Sequence, residues 1–269
     1  MVTGEYAMAR ELFFDERVGD AYYINLVGLT ESMANLMELL EKPLKMILLY
    51  GKPGTGKSMM LRKVYEELKE RRPIYLFETP SFDELHDLKR IYSDITGKKA
   101  PTTRSFTKLL EEIKAELPAD RAIILLDEAQ LYPVEKMEVF RLLADTRIFK
   151  FVIVVHKTAS EELLAMEQFK TRIWEMIELK SLNLEETKVF IEKKLIKNNL
   201  YQLLGAFRPR NYKLIHKLTG GNLRNINKLM YKLFDIYDYF DATAPHKINR
   251  AKIENKYIEI AAMDTRMDE

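Results

Sequence analysis

Five short apolar runs punctuate the chain between residues 45 and 180: KMILLY (45–50), PIYLFE (73–78), RAIILLDE (121–128), FKFVIVV (149–155) and WEMIELK (174–180). Each is continuous rather than alternating, as expected of strands in a parallel sheet covered on both faces. Between them apolar residues recur at helical spacing. Leu61, Val64, Tyr65 and Leu68 share one face, as do Phe106, Leu109, Leu110, Ile113 and Leu117. Strand–helix alternation of this kind predicts an α/β fold built on a parallel sheet. After residue 181 the strands stop. Asn183 with Glu186 three residues on predicts a capping box. Helical patterns follow through NYKLIHKL, NLRNINKLMYKLFDIYDYF and KINRAKIENKYIEIAAM. The pattern therefore predicts an α/β domain over 1–181 and a helical domain over 182–269. Trp174 and the methionine-rich helix faces are expected to pack in the core.

Composition narrows the function classes. The 269 residues are 47% hydrophobic, enough for a substantial core. There is no cysteine, which excludes disulfides and thiolate metal sites. His86, His156, His216 and His246 are scattered, with no pair at metal-ligand spacing. No apolar run approaches the ~18 residues of a membrane span, and the N-terminus lacks a signal-peptide layout, so a soluble cytoplasmic protein is expected. The net charge of +2 conceals an asymmetry: Lys193 to Phe234 holds ten Lys/Arg and no acid, leaving a net of −8 elsewhere. Such a block suits an anionic ligand or partner.

The chemistry concentrates in a few motifs. GKPGTGKS, comprising Gly51, Lys52, Pro53, Gly54, Thr55, Gly56, Lys57 and Ser58 with Met59 behind it, follows the first strand and opens a helix. Glycines let successive N–H groups curl toward the β- and γ-phosphates of a nucleotide; Lys57 reaches the same phosphates and Ser58 ligates Mg²⁺. AIILLDEAQ places Asp127 and Glu128 at the carboxyl end of a buried strand. Asp127 would hold the Mg²⁺ shell through water and Glu128 would orient the attacking water. FVIVVHKT ends the next strand. A polar residue at that strand end lies within reach of a γ-phosphate, and His156 is the candidate with Lys157 behind it. Equally, Thr158 with Glu161 offers a helix cap into which His156 simply leads. Arg172 precedes the last strand and can reach a neighbouring subunit's nucleotide as a catalytic arginine, with Lys170 its nearest competitor. In TGGNLRNINKL, Gly220 and Gly221 end one helix and Asn222 caps the next. Arg224 then sits in a helix's first turn, where a cation is disfavoured unless an anion such as triphosphate compensates it.

In this order the motifs resemble an AAA+ ATPase, matching its phosphate-loop, magnesium, sensor-one, arginine-finger and sensor-two elements over roughly residues 20–240. More narrowly, LLDEAQ with TGGNLRNINKL is similar to the ExeA-type group of secretion-pathway and pilus-assembly ATPases, to which transposition helper ATPases are related. The resemblance implies a five-stranded sheet ordered 5-1-4-3-2, a small all-helical lid closing over ATP, and assembly into homo-oligomeric rings or filaments. It also implies an adenine contact before the first strand, where Tyr23 and Ile24 lie. Three functions stand open: an ATPase driving a secretion or type IV pilus-like machine, a DNA-associated ATPase using the basic lid, and a slow nucleotide-controlled scaffold. VVHKT departs from the Gly-Gln-Pro-Glu type of strand end common in these families.

Overall fold

The computed structural model describes residues 4–14, 24–117, 119 and 122–265. The apolar runs form five parallel strands, β1 (Met46–Gly51), β2 (Ile74–Phe77), β3 (Ala122–Leu126), β4 (Phe149–His156) and β5 (Ile173–Leu179). They pair in the order β2-β3-β4-β1-β5, the expected 5-1-4-3-2 counted from the opposite edge. The three central strands are buried almost throughout, which explains their unbroken hydrophobicity.

By internal packing the chain divides into two compact units, Glu31–Leu179, and Met1–Thr30 together with Lys180–Glu269. Around the sheet of the first unit run α3 (Lys57–Leu68), α4 (Glu84–Thr96), α5 (Phe106–Glu116), α6 (Val134–Asp145), α7 (Lys157–Ala165) and α8 (Glu167–Lys170). The second holds α1 (Glu5–Leu12), α9 (Leu184–Lys197), α10 (Tyr201–Ala206), α11 (Pro209–Thr219), α12 (Leu223–Thr243) and α13 (Asn255–Asp264), while α2 (Val27–Glu41) crosses the division.

Aromatic rings brace the sheet. Phe82 and Tyr132 both stand edge-on to the fully buried Phe140, with centroids 5.1 Å away. Tyr132 also donates its hydroxyl to Thr79 O at 3.0 Å, tying the segment after β3 to the one after β2. Buried Lys150 donates to the carbonyls of Leu40 and Lys42 and so satisfies the C-terminal end of α2.

Three expectations need correction. Trp174 is 75% exposed rather than in the core, because β5 is an edge strand on which Trp174, Glu175 and Met176 are all exposed. The described residues before Glu31, expected with the sheet, belong to the unit of the C-terminal helices. There α1 sets Tyr6 against Tyr237 and Phe13 against Phe234, at 5.3 and 5.8 Å, and Arg10 pairs with Asp235 and Asp238 at 3.2 Å. Finally, the last helix begins at Asn255, not near Lys247. The segment before it turns at Arg250–Ala251 and is pinned by Ile253 N donating to Ala206 O and Glu254 N to the Tyr237 hydroxyl, both at 2.9 Å.

The helical unit otherwise follows its sequence signals. Asn183 and Glu186 form the expected capping box. Gly220 and Gly221 take left-handed φ of 59° and 68°, and the Asn222 side chain accepts from the N–H groups of Arg224 and Asn225 at 3.1 and 3.2 Å. Lys194, one of the basic block, is buried: its ammonium donates to Asn227 Oδ1 at 2.8 Å and Leu12 O at 3.3 Å. It is a structural cation, beyond reach of an external anion.

Candidate functional site

The site is built at the carboxyl edge of the sheet. β1 delivers Gly51 between His156 of β4 and Leu179 of β5. A Cβ on Gly51 would stand 2.3 Å from Leu179 O, so only glycine lets the chain leave the strand there. Gly54 and Gly56, at φ 77° and 95°, complete the curl in a region that side chains rarely adopt. Thr55 is buried and pins the loop by donating to Lys52 O at 2.9 Å, while Lys52 and Pro53 form its exposed tip. α3 then opens at Lys57 with no acidic residue of its own in the first turn, so the positive end of the helix suits an anion. The buried Lys57 ammonium donates to Gly51 O and Lys52 O, both at 3.0 Å, and lies along the inside of the loop. Met59 continues α3, partly exposed.

β3 delivers the carboxylates. Asp127 N still donates to Phe77 O of β2 at 2.9 Å, which fixes the first residue beyond the strand. The Asp127 carboxyl is buried and hydrogen-bonded to the Ser58 hydroxyl; burial pushes its pKa up, and the Ser58 contact and the Glu128 N–H pull it back down. Two hard oxygen donors thus lie side by side next to the phosphate loop. Glu128 has a left-handed backbone, φ 48°, an unfavourable conformation for a residue with a Cβ. Its Oε2 lies 3.0 Å from His156 Nε2 and accepts from Gln130 Nε2.

The sheet register explains why His156 arrives there. Leu126, the last residue of β3, lies opposite Ile153 of β4, so β4 runs three residues further. His156 is the residue before α7 and makes no capping bond; the helix starts at Lys157, so the expected cap at Thr158 is not used. Lys157 donates to Glu178 at 2.6 Å instead of facing the loop.

Lys57, Ser58, Asp127, Glu128 and His156 are therefore gathered together. Arg172 is not among them. It lies just before β5, at the opposite end of the strands, and grips Asp145 through Nε at 2.9 Å and a terminal nitrogen at 2.6 Å. Lys45 at 2.7 Å and Arg141 at 3.2 Å share the same carboxylate, and the Arg172 hydrogen bonds lead in lowering its pKa to about 2. Arg224, exposed in the first turn of α12, and Ile24, buried, belong to the helical unit; Tyr23 lies outside the described residues. Gln130 was missed by sequence reasoning. Its only signal was its place two residues past Glu128, which becomes informative once the left-handed turn folds it back.

Residues 40–164 match the family model described as an AAA domain. No curated protein matches the sequence. Among solved structures, the chain is similar to a Drosophila ORC chain from a complex with DNA, at 16% identity and TM-score 0.63, covering 97% of this chain and 65% of that one. It is similar to Aeropyrum pernix ORC1, solved in complex with DNA, at 19% identity and TM-score 0.59, covering 95% and 69%. A. pernix ORC2, solved as ADPNP–ADP complexes, gives 14% identity and TM-score 0.58 over 95% and 71%. This chain thus spans about two thirds of the length of these proteins. Sheet order, phosphate loop and family match agree: the chain has the AAA+ fold, an architecture of nucleotide-binding proteins, followed by a helical C-terminal region.

Proposed function

We propose that this chain is a Mg²⁺-dependent ATPase. The observation that carries the proposal is the convergence of a buried lysine, a Ser–Asp pair and a hydrogen-bonded glutamate at one sheet edge. The loop N–H groups and Lys57 would bind the β- and γ-phosphates. Ser58 and Asp127 fit a hard cation, Asp127 acting through water. No cluster of three or more His, Cys, Asp or Glu among the described residues could hold a metal. Magnesium would accordingly share its shell with phosphate oxygens. Glu128 takes a proton from the attacking water, and His156 steadies it and senses the γ-phosphate. The AAA+ resemblance would add Arg224 to the triphosphate contacts and Tyr23 and Ile24 to those with adenine.

The test is phosphate release by the purified chain. Turnover should require Mg²⁺, and Glu128→Gln should still bind ATP while losing about 10²-fold or more in rate. Full turnover by that variant removes Glu128 from the mechanism. Arg172 acts in trans in this proposal, leaving Asp145 neutralised by Lys45 and Arg141 when it moves to a neighbour. Specific activity should then rise with protein concentration, and Arg172→Ala should abolish the rise.

For the pathway, DNA association is the reading with most support. The helical unit presents exposed Arg210, Lys213 and Lys217 at i, i+3, i+7 on α11, and exposed Arg224 and Lys228 on α12. These remain after structural cations such as Lys194 are set aside, and two of the similar structures were solved with DNA. The ExeA-type resemblance supports a secretion or pilus machine, through LLDEAQ and TGGNLRNIN alone. Pull-down of the chain with its protein partners separates the two.

A further inference from the structure

Glu128 has two side-chain neighbours, His156 and Gln130. His156 Nε2 lies 3.0 Å from Oε2, and Gln130 Nε2 donates to the same oxygen. Oε1 accepts no hydrogen bond from any described residue. The amide of Gln130 must present its nitrogen to the carboxylate, because its oxygen there would set two acceptors against each other.

This contact is made by the backbone. The left-handed turn at Glu128 leads straight into the short 3₁₀ turn Ala129–Leu131, which swings Gln130 back over the residue two before it. The remaining amide oxygen, Oε1 of Gln130, is buried with no partner, as is His156 Nδ1. A buried unsatisfied acceptor costs about 1–3 kcal/mol, so packing alone favours an apolar side chain at this position over an amide. A strained backbone and an unsatisfied amide converge on one carboxylate oxygen.

We propose that Gln130 is a positioning residue for the hydrolytic base. Resting on the reading of Glu128 as that base, it fixes Oε2 together with His156 and so keeps Oε1 turned to the attacking water. Oε1 takes the water proton as the water oxygen bonds to the γ-phosphorus, and the bond from phosphorus to the β,γ-bridging oxygen breaks to release ADP. Gln130 donates a neutral hydrogen bond and leaves the carboxylate charged, which a lysine there would neutralise.

The test uses the full chain with Mg²⁺·ATP and three variants. Gln130→Ala should lower kcat about tenfold while KM, the Kd for a fluorescent ATP analogue and the melting temperature stay within twofold or a degree of the wild type. Gln130→Glu, which sets a second carboxylate against the first, should lose more. On a Glu128→Gln background, Gln130→Ala should cost nothing further in single-turnover rate, because the group it positions is gone. Unchanged kcat in Gln130→Ala, or a second tenfold loss on the Glu128→Gln background, overturns the positioning role. Full activity of Glu128→Gln alone overturns the base assignment instead.

Discussion

At the residue scale, the same side-chain type does opposite work depending on its surroundings. Lys57 is buried along a glycine loop at a helix N-terminus, an arrangement that suits phosphate. Lys150 and Lys194 are equally buried and, like Lys57, donate to oxygens of their own unit, but they hold helices in place instead of lining a glycine loop. Asp145 shows how far one carboxylate can organise cations, with Arg172, Lys45 and Arg141 around it. Its pKa of about 2 lies below the unfolded value of about 3.9, so its stabilisation is fully present above that value and fades as pH falls toward 2. Because the group is partly exposed, screening leaves about 1 kcal/mol. Asp145→Asn should therefore lower the melting temperature at pH 7, and the gap to the wild type should close between about pH 4 and pH 2. An equal gap at every pH would assign the stabilisation to packing.

At the element scale, much of the fold was legible. The five runs became five parallel strands, and the three central ones are unbroken in hydrophobicity because both of their faces are covered. The capping box at Asn183 and the double-glycine stop at Gly220–Gly221 also formed, since both carry strong local signals. What the sequence did not show depends on distant partners. The exposure of Trp174 follows from the edge position of β5, and the allegiance of α1 follows from rings on α12 more than 200 residues away. The site divides the same way. The phosphate loop and the two acids were readable from spacing, whereas the Gln130–Glu128–His156 contact needed the φ of Glu128 and the offset of β4. Gly221 illustrates a long-range constraint hidden in a local signal. A Cβ there would lie 1.9 Å from Leu182 O, while one on Gly97, also left-handed, meets nothing within 4 Å. Gly97→Ala should cost about 1 kcal/mol and Gly221→Ala about 2–3 kcal/mol or more, read as the fall in midpoint of thermal unfolding. Equal losses would remove the Leu182 contact as the cause.

At the scale of the whole molecule, the charge asymmetry is the feature that bears on partners. Five exposed cations on α11 and α12 sit in a unit whose other basic residues include buried Lys194 and the Asp264-paired Lys232. If these five meet phosphates, the logarithm of DNA affinity should fall against the logarithm of salt with a slope of about −3 to −5, near 0.9 per contact. Lys213→Glu with Lys217→Glu should flatten it. A slope near zero in fluorescence anisotropy leaves the basic face as a solvated surface and returns the pathway to protein partners. Among the described residues no helix is long and apolar enough to cross a membrane.

Everything proposed for this chain depends on a triphosphate lodging in the loop from Gly51 to Ser58. Calorimetric titration of the purified chain with Mg²⁺·ATP measures that directly. One nucleotide should bind per chain, and Lys57→Ala should weaken binding at least about 10²-fold while the melting curve stays in place. A wild-type chain that takes up no heat with ATP, or a Lys57→Ala chain that binds as well as the parent, would contradict it.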